Sequence, residues 1–328
     1  MSIHPSPTRT KATALDAAAS QDKETRLGVV YALICYCTWG FFPLYWSMLN
    51  GQDMSAAQLM GHRVVWATIW ALLLLAVTRQ QQHLWNALKS PKTVAIFFVA
   101  SMALGTNWLV YIYGVGINRV IEASLGYFMS PLMSIALARI FIGETINRAQ
   151  VFAVILACCG VLWLAILGGQ IPWIALGISI SWSFYSLLRK KASLPAIPGL
   201  TLETLLMLPI AIVYLAWLNT LGEFRFFELD TGIILLVIGT GLLTSYPLLF
   251  FAAAAKRVSL STLGILLYIN PTMQFLLGWL VLKEPFDGMR FIAYVFVWIA
   301  VIIFSSSSYI QYKKTHAQTH AHTHQPSR

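Results

Sequence analysis

Long apolar runs alternate with short polar segments along almost the whole chain. A bilayer core needs about 20 apolar residues per helix, and ten of the runs reach that length. They cover residues 27–49, 55–78, 93–113, 120–142, 148–167, 171–188, 199–219, 231–252, 260–282 and 288–310. The pattern predicts an all-α integral membrane protein with ten transmembrane helices. The short connections indicate one compact helical domain.

The composition supports this interpretation. Of the 328 residues, 58% are hydrophobic and 10% are charged, whereas a soluble domain has about 25% charged residues. The mean hydropathy is +0.70. These values exclude a soluble enzyme, a nucleic-acid-binding domain and a disordered protein. The lipid bilayer is therefore the expected partner, and the net charge of +10 does not indicate nucleic acid.

The distribution of Lys and Arg predicts the orientation. With the N-terminus inside, 16 of the 22 Lys and Arg residues fall on the cytoplasmic side and four on the outer side, while Arg63 and Arg139 lie within spans. Cytoplasmic loops of membrane proteins carry an excess of these residues. Both termini are therefore predicted to be cytoplasmic.

Two polar tails flank the apolar region. Residues 1–26 are rich in Ala, Ser, Thr and charge, which predicts a disordered cytoplasmic tail rather than a signal peptide. Residues 311–328 form a His-rich tail that contains His316, His320, His322 and His324. Histidine tracts can bind metal. Because no fixed framework surrounds these histidines, we expect a solvated, disordered cytoplasmic tail.

The cysteines do not indicate a metal or redox site. Cys35, Cys37, Cys158 and Cys159 all lie within apolar runs. Neither pair shares a helix face, and no metal-ligand spacing is present. Small apolar packing residues are the favoured interpretation, so the sequence predicts neither a metal nor a cofactor.

The two halves of the chain resemble each other. At shifts of 138 to 140 residues the matched pairs include Thr106 with Thr244, Arg119 with Arg257, Pro131 with Pro271, and Glu144 with Glu284. The repeats cover residues 27–167 and 171–310, with five spans each. Because five is odd, the second repeat enters the membrane in the opposite sense. Inverted repeats of this kind favour an alternating-access carrier, although channels can also be built from them.

Several motifs resemble the RarD family, in the EamA branch of the drug/metabolite transporter superfamily. They are the segment Glu122–Pro131 (EASLGYFMSP), the pairs His62–Arg63 and Asn107–Trp108, and the basic run Arg189–Lys191. The resemblance extends from about residue 27 to residue 310. It implies a ten-helix carrier in the bacterial cytoplasmic membrane and does not imply a particular substrate.

Charged residues inside spans are candidates for function, because a helix-centre Arg costs roughly 2.5–3.5 kcal/mol on the insertion scale. Arg63 lies about 12 Å below the outer end of the second span. Because a lipid-facing Arg at that depth is costly, we expect its side chain to face the protein interior. It is expected either to bind a substrate anion or act as a gate in the cavity, or to make a structural ion pair or carbonyl contact between helices; a pair with Glu122 is geometrically possible. His62 couples transport to protons or makes an interhelical hydrogen bond. Glu122 is an outer gate or a proton carrier, or it is a helix N-terminal carboxylate. The same alternatives hold for Glu203 at the inner side.

Other charged residues have structural interpretations. Glu144 and Glu284 close the fourth and ninth spans at matched positions. Asn147 and Asp287 follow each of them by three residues and are good helix N-caps. We therefore interpret both glutamates as turn elements. Arg139, near the inner end of the fourth span, is expected to extend its side chain to the interface.

Polar and aromatic residues are expected to line a central cavity between spans 3, 4, 8 and 9. The matched sets Thr106–Trp108 and Thr244–Tyr246 fall in the middle of their spans. An apolar cavity with a few amides and hydroxyls suits a small amphipathic cargo. The candidate substrate-binding or gating residues are His62, Arg63, Asn107, Trp108, Tyr111, Glu122, Tyr127, Tyr246, Tyr268 and Asn270.

The sequence favours a secondary transporter that exports small metabolites or drug-like molecules. An integral membrane enzyme is the alternative from another class, but no zinc-protease motif, nucleophile elbow or nucleotide-binding loop is present. A channel-like permease is a third possibility. The expected partner besides lipid is a small molecule, and the protein is a monomer or a homodimer.

Overall fold

A computed structural model describes the backbone of residues 7–143, 147–167, 171–191, 194–255, 257–258, 263 and 266–323, with side-chain contacts from within residues 23–310. The described residues are predominantly helical. The described residues contain no strand, which confirms the predicted all-α class. Glu144, for which a turn role was predicted, lies outside the described residues.

Twelve α-helices are described along the chain. They are α1 (Pro7–Gly40), α2 (Phe42–Ser47), α3 (Ala56–Val77), α4 (Gln81–Leu88), α5 (Pro91–Gly116), α6 (Val120–Ile142), α7 (Arg148–Leu167), α8 (Trp173–Lys191), α9 (Ala196–Thr220), α10 (Thr231–Ala255), α11 (Ile269–Leu276) and α12 (Gly288–Thr323). A 3-10 turn covers Phe226–Glu228, and a π-helical turn at Leu277–Val281 follows α11 directly.

Within the described residues, eight helical segments are long and apolar enough to cross a membrane. They are Lys23–Ser47, Ala56–Val77, Pro91–Gly116, Val120–Phe141, Arg148–Ile166, Ala196–Thr220, Thr231–Ala254 and Gly288–Ser307. These segments coincide with eight of the ten predicted spans. Helix α8 covers the sixth predicted span but is not among the eight. The ninth, residues 260–282, lies partly outside the described residues. Ten spanning helices therefore stay a prediction.

Both terminal helices extend into the predicted tails. Helix α1 begins at Pro7, although the composition predicts a disordered tail up to residue 26. Helix α12 continues to Thr323, within the His-rich tail. The difference at the N-terminus has a physical reason, because the tail is rich in Ala, the best helix former, and it continues directly from an apolar helix that supplies the nucleus.

Local side-chain contacts set several helix boundaries. The Ser55 hydroxyl accepts a hydrogen bond from the Gln58 amide at 3.1 Å and caps α3. Asn147 and Gln150 cap α7 reciprocally, because each side-chain oxygen accepts from the backbone N–H of the other, at 2.8 and 3.0 Å. Asp287 caps α12 by accepting from the Arg290 amide at 2.9 Å. The predicted N-caps at Asn147 and Asp287 are thereby confirmed.

Packing between helices arranges eight of the described elements as a closed ring. In order of contact, the ring is α1, α10, α3, α9, α5, α8, α6, α11 and again α1. Helices α7 and α12 pack against each other and both contact α6. The four helical segments expected around a central cavity, α5, α6, α10 and α11, are all members of the ring. Their side chains that point inward can therefore meet.

At two glycines, the backbones of neighbouring helices in the ring are in close contact. A Cβ atom built at Gly126 in α6 would lie 2.8 Å from the Ala175 carbonyl oxygen in α8. One built at Gly241 in α10 would overlap the carbonyl of Trp66 in α3 and lie 2.7 Å from the Ala67 nitrogen. Small residues at such crossings are typical of membrane helices, where close packing drives association.

Candidate functional site

Arg63 is the eighth residue of α3, and only 4% of it is exposed. The prediction that it faces the protein interior is confirmed. Its Nε atom donates a hydrogen bond to the Thr244 hydroxyl of α10 at 3.1 Å. That hydroxyl donates in turn to the Thr240 carbonyl oxygen at 2.8 Å. Thr244 is thereby held as an acceptor, so the contact fixes the orientation of the guanidinium group.

Two indole rings contact the same guanidinium group. The Arg63 Cζ atom lies 4.0 Å from the ring centroid of Trp108 in α5 and 5.3 Å from that of Trp46 in α2. Cation–π contacts of this kind are worth about 2 kcal/mol when the cation is desolvated. The cation is therefore held by aromatic faces and one hydroxyl.

The ion pair between Arg63 and Glu122, which the sequence left as one possibility, is not among the contacts of the described residues. Glu122 Oε2 lies 3.3 Å from Arg119 Nη1, and its Oε1 accepts a hydrogen bond from the Ile174 amide at 3.0 Å. Glu122 is half-buried in the first turn of α6. There it contacts Arg119, three residues earlier, and the start of α8, and it does not reach the interior. Among the described residues, no carboxylate lies within 4.0 Å of Arg63.

Three more candidates lie next to Arg63 or are bonded to its neighbours. Tyr111 of α5 and Tyr127 of α6 are close enough to Arg63 to interact with it electrostatically. The Tyr127 hydroxyl donates to Asn107 Oδ1 at 3.3 Å, and Asn107 Nδ2 donates to the Ile178 carbonyl oxygen of α8 at 3.0 Å. Five elements, α2, α3, α5, α6 and α10, thus contribute to one cluster. The Arg63 cluster comprises Trp46, Arg63, Asn107, Trp108, Tyr111, Tyr127 and Thr244.

The Arg63 cluster has more hydrogen-bond donors than acceptors. Tyr111 Oη and Trp46 Nε1 are buried and have no hydrogen-bond partner among the described residues. Within the same part of the chain, neither Nη group of Arg63 has an acceptor, because its hydrogen bond to Thr244 is made by Nε. Unpaired buried donors are costly. These donors can therefore form hydrogen bonds with acceptor atoms of a ligand.

His62 packs away from this cluster. Its ring stacks on Phe226 at 4.6 Å and lies 5.5 Å from Phe224, both in the segment that follows α9. His62 Nε2 is buried and has no hydrogen-bond partner among the described residues. His62 thus packs against the rings of Phe224 and Phe226. The described contacts show neither proton coupling nor an interhelical hydrogen bond for this residue.

The remaining three candidates make contacts elsewhere. Tyr246 is 41% exposed and packs edge-on against Phe250 at 4.9 Å, whereas its repeat match Trp108 is buried. Tyr268 stacks on Phe128 at 6.3 Å. Asn270 Oδ1 accepts a hydrogen bond from Gln274 Nε2 at 2.8 Å, within α11. No described contact joins these residues to the Arg63 cluster.

Glu203 is part of a second buried polar cluster, and it was expected to be a gate, a proton carrier or a helix N-terminal carboxylate. Glu203 is the eighth residue of α9 and is 2% exposed. Its Oε1 lies 3.3 Å from Arg189 Nε, and its Oε2 accepts from the Tyr185 hydroxyl at 3.3 Å. Arg189 also lies over the Phe97 ring at 4.8 Å. The partner of Glu203 is thus a residue of the basic run at the end of α8.

Charged residues also meet at the predicted outer ends of α6 and α12. Glu284 is buried and accepts hydrogen bonds from the Val120 and Ile121 amides at 2.6 and 2.8 Å, so it caps α6. Burial raises the pKa of Glu284, and the two amide hydrogen bonds counteract that rise. Glu284, which was predicted to be a turn element, therefore also caps α6, a helix of the first half of the chain.

A cavity of about 300 Å³ lies beside this cap and is lined by Arg119, Glu122, Glu284, Asp287 and Arg290, among other residues. Arg119 pairs with Glu122, Glu284 and Asp287 cap helices, and Arg290 donates to the Pro285 carbonyl oxygen. Arg63 is not among its lining residues. We therefore take the Arg63 cluster, and not this cavity, as the candidate functional site.

Two parts of these clusters were not anticipated from the sequence. Trp46 was not among the candidates, although Gly40 and Pro43 signal the break between α1 and α2 that redirects it. Arg189 was assigned to a cytoplasmic basic run, which is the usual meaning of such a run. Its buried contact with Glu203 depends on how α8 packs near α9, and no local pattern reports that.

The fold and the buried clusters are those of a multi-pass membrane protein. The chain matches the model of the EamA-like transporter family twice, over residues 26–166 and again over residues 171–306. The chain belongs to this family of membrane transporters. The match confirms the resemblance to the EamA branch that the motifs indicate.

Two relatives show its place in that family. The chain is 37% identical over 293 residues to "Protein RarD" of Escherichia coli (strain K12), which covers 89% of this chain and 98% of that protein. It is 37% identical to "Uncharacterized transporter YojE" of Bacillus subtilis (strain 168), which covers 88% of this chain and 96% of that protein. The chain is thus of the RarD type.

A solved structure described as "Crystal structure of protein" superposes with a TM-score of 0.52 at 15% sequence identity. The superposition covers 84% of this chain and 96% of that chain. At this level of identity the likeness concerns the fold alone.

Proposed function

We propose that this protein is a secondary transporter that exports small metabolites or drug-like molecules by alternating access. The observation that carries the proposal is Arg63, a cation inside the helix ring that is not paired with a described carboxylate. Buried charges within membrane spans are costly, and they mark substrate or ion pathways more often than structural sites.

The regular spacing of the helices supports two repeats. Helices α9, α10 and α12 begin 140 residues after α3, α5 and α7, respectively. The caps Asn147 and Asp287 are separated by the same interval. The family model also matches the two halves one after the other. A duplicated five-helix unit accounts for all three observations.

The order of helices in the ring supports an inverted relationship between the halves. The proposed pairs are α1 with α8, α3 with α9, α5 with α10, and α6 with α11. If each element is exchanged with its partner, the same ring results, run in the opposite direction. Helices α7 and α12 exchange with each other. This is the behaviour of two halves related by a two-fold axis, and such halves can exchange conformations to open a site to either side.

An enzymatic role is less well supported. The buried acids Glu203 and Glu284 are engaged in an ion pair and a helix cap, and Glu122 is paired with Arg119. General acid–base catalysis needs a group that can reach the reacting atoms. Transport by Arg63 and its aromatic neighbours requires no such group.

We further propose that the protein lies in the bacterial inner membrane with both termini in the cytoplasm.

Transport is tested without assuming a cargo. Proteoliposomes containing the purified chain are loaded with a small-molecule extract of bacterial cells, and released compounds are identified by mass spectrometry. A carrier gives selective release and saturable counterflow of the released compounds. Release that does not saturate indicates a channel, and chemical conversion of a compound indicates an enzyme. Vesicles of fixed orientation, made from cells, then determine whether export or uptake is faster.

A further inference from the structure

We infer that the Arg63 cluster binds a small organic monocarboxylate with an apolar or aromatic body. This inference names the substrate class of the proposed transport site and therefore rests on that function. Its central observation is an excess of donors around a buried cation, within walls made by aromatic rings.

The orientation of the guanidinium group favours a carboxylate. Nε is already bound to the Thr244 hydroxyl, which leaves the two Nη groups as the remaining donors. A pair of adjacent guanidinium N–H groups matches the two oxygens of a carboxylate in a bidentate contact. The same contact supplies the negative charge that Arg63 does not receive from a described residue.

Neighbouring donors favour the same ligand. Tyr111 Oη and Trp46 Nε1 are buried without a partner among the described residues. An indole N–H can only donate, and a tyrosine hydroxyl can donate. Both therefore fit an acceptor-rich group such as a carboxylate, and neither increases the affinity for a cation.

The walls of the cluster define the rest of the ligand. Trp108 and Trp46 lie against the guanidinium group, and the Tyr111 and Tyr127 rings lie 5.8 Å apart beside it. Such surfaces bind an apolar or aromatic body. No described carboxylate lies within ion-pair distance of Arg63 to pair with an ammonium group. The site therefore selects a simple carboxylate over an amine or a zwitterion.

The experiment measures ligand-induced thermal stabilisation of the purified full-length chain in detergent, in chloride-free buffer. The probe is phenylacetate, and the comparisons are phenylacetamide, phenethylamine, phenylalanine and potassium chloride. We expect a concentration-dependent increase in Tm with phenylacetate. Phenylacetamide has the same size without the charge and should give no increase, while phenylalanine should bind at least tenfold more weakly.

Variants connect the effect to the cluster. Arg63→Gln should abolish the stabilisation by phenylacetate, and Arg63→Lys should weaken binding because it keeps the charge and loses the bidentate contact. Tyr111→Phe removes one hydroxyl and should weaken binding roughly tenfold, the usual effect of one hydrogen bond to a charged group. Arg225→Gln, in an exposed loop, is the matched control and should bind like the wild type.

Several results would overturn the inference. Equal stabilisation by phenylacetamide shows that the charge is not recognised, and equal stabilisation by chloride shows a site for simple anions only. Unchanged binding in both Arg63→Lys and Tyr111→Phe places the ligand elsewhere, even if Arg63→Gln does not fold. Counterflow of other compounds without phenylacetate binding rejects the proposed substrate class but not the carrier function. Binding of phenylacetate without any counterflow rejects the carrier function but not the proposed carboxylate site.

Discussion

Removal of one partner from the Arg189–Glu203 pair should destabilise the protein strongly. The two side chains are 19% and 2% exposed, and the Nε and Oε1 atoms are 3.3 Å apart. Loss of one member of a buried pair typically costs about 3–5 kcal/mol, because the other charge remains buried. Arg189 would keep its contacts with the Phe97 ring and the Leu194 carbonyl. We therefore expect Glu203→Gln to cost about 3 kcal/mol, at the lower end of that range.

The double variant separates the pair from its individual residues. Replacement of a buried ion pair by two apolar side chains is often close to neutral. We therefore expect Arg189→Met with Glu203→Leu to be within about 1 kcal/mol of the wild type, although each single change is costly. With each single change at about 3 kcal/mol and the double variant at about 1 kcal/mol, the coupling between the two positions should be about 5 kcal/mol, which is larger than is usual for residues in contact.

The assay is equilibrium unfolding of the purified chain in mixed micelles, followed by intrinsic tryptophan fluorescence. The matched control is the Arg225–Glu228 pair, which is shorter at 2.8 Å but exposed to solvent. Glu228→Gln should have no measurable effect on unfolding, because exposed ion pairs contribute little. If Glu203→Gln behaves like this control, or if the effects of the two single changes simply add, the account of a buried, coupled pair is refuted.

Two further predictions concern helix packing and topology. Gly241→Ala should cost about 1–3 kcal/mol, because the new methyl group meets the α3 backbone at Ala67; Gly232→Ala, with open space around it, is the control in the same unfolding assay. In a background without the four native cysteines, single cysteines at Gln52 and Gln81 should label from opposite sides of intact cells. Labelling of both from outside would contradict the proposed orientation.

Helix positions and caps were predictable because they depend on local sequence. The apolar runs located the eight described spans, and the spacing after each turn located the caps at Asn147 and Asp287. The cost of a charge inside the membrane was enough to predict that Arg63 is buried. Each of these predictions follows from a residue and its immediate neighbours along the chain.

The partners of the buried charges were not predictable, because they depend on which helices meet. Glu122 was matched to Arg63 on depth alone, but Arg119 and the start of α8 are nearer to it. Tyr246 was chosen because it aligns with Trp108 in the repeat. Tyr246 is nevertheless 41% exposed, whereas Trp108 is buried. Matching the two repeats by sequence thus predicts how far along its helix a residue lies better than it predicts which way its side chain points.

The role of Arg63 in transport is measured as counterflow in proteoliposomes containing wild-type protein, Arg63→Gln or Arg225→Gln, with the compounds identified in the release experiment. We expect saturable counterflow with the wild type and with Arg225→Gln. We expect loss of counterflow with Arg63→Gln, although the protein is folded and incorporated to the same extent. Counterflow at the wild-type rate in Arg63→Gln would contradict the claim that the buried cation is the transport site.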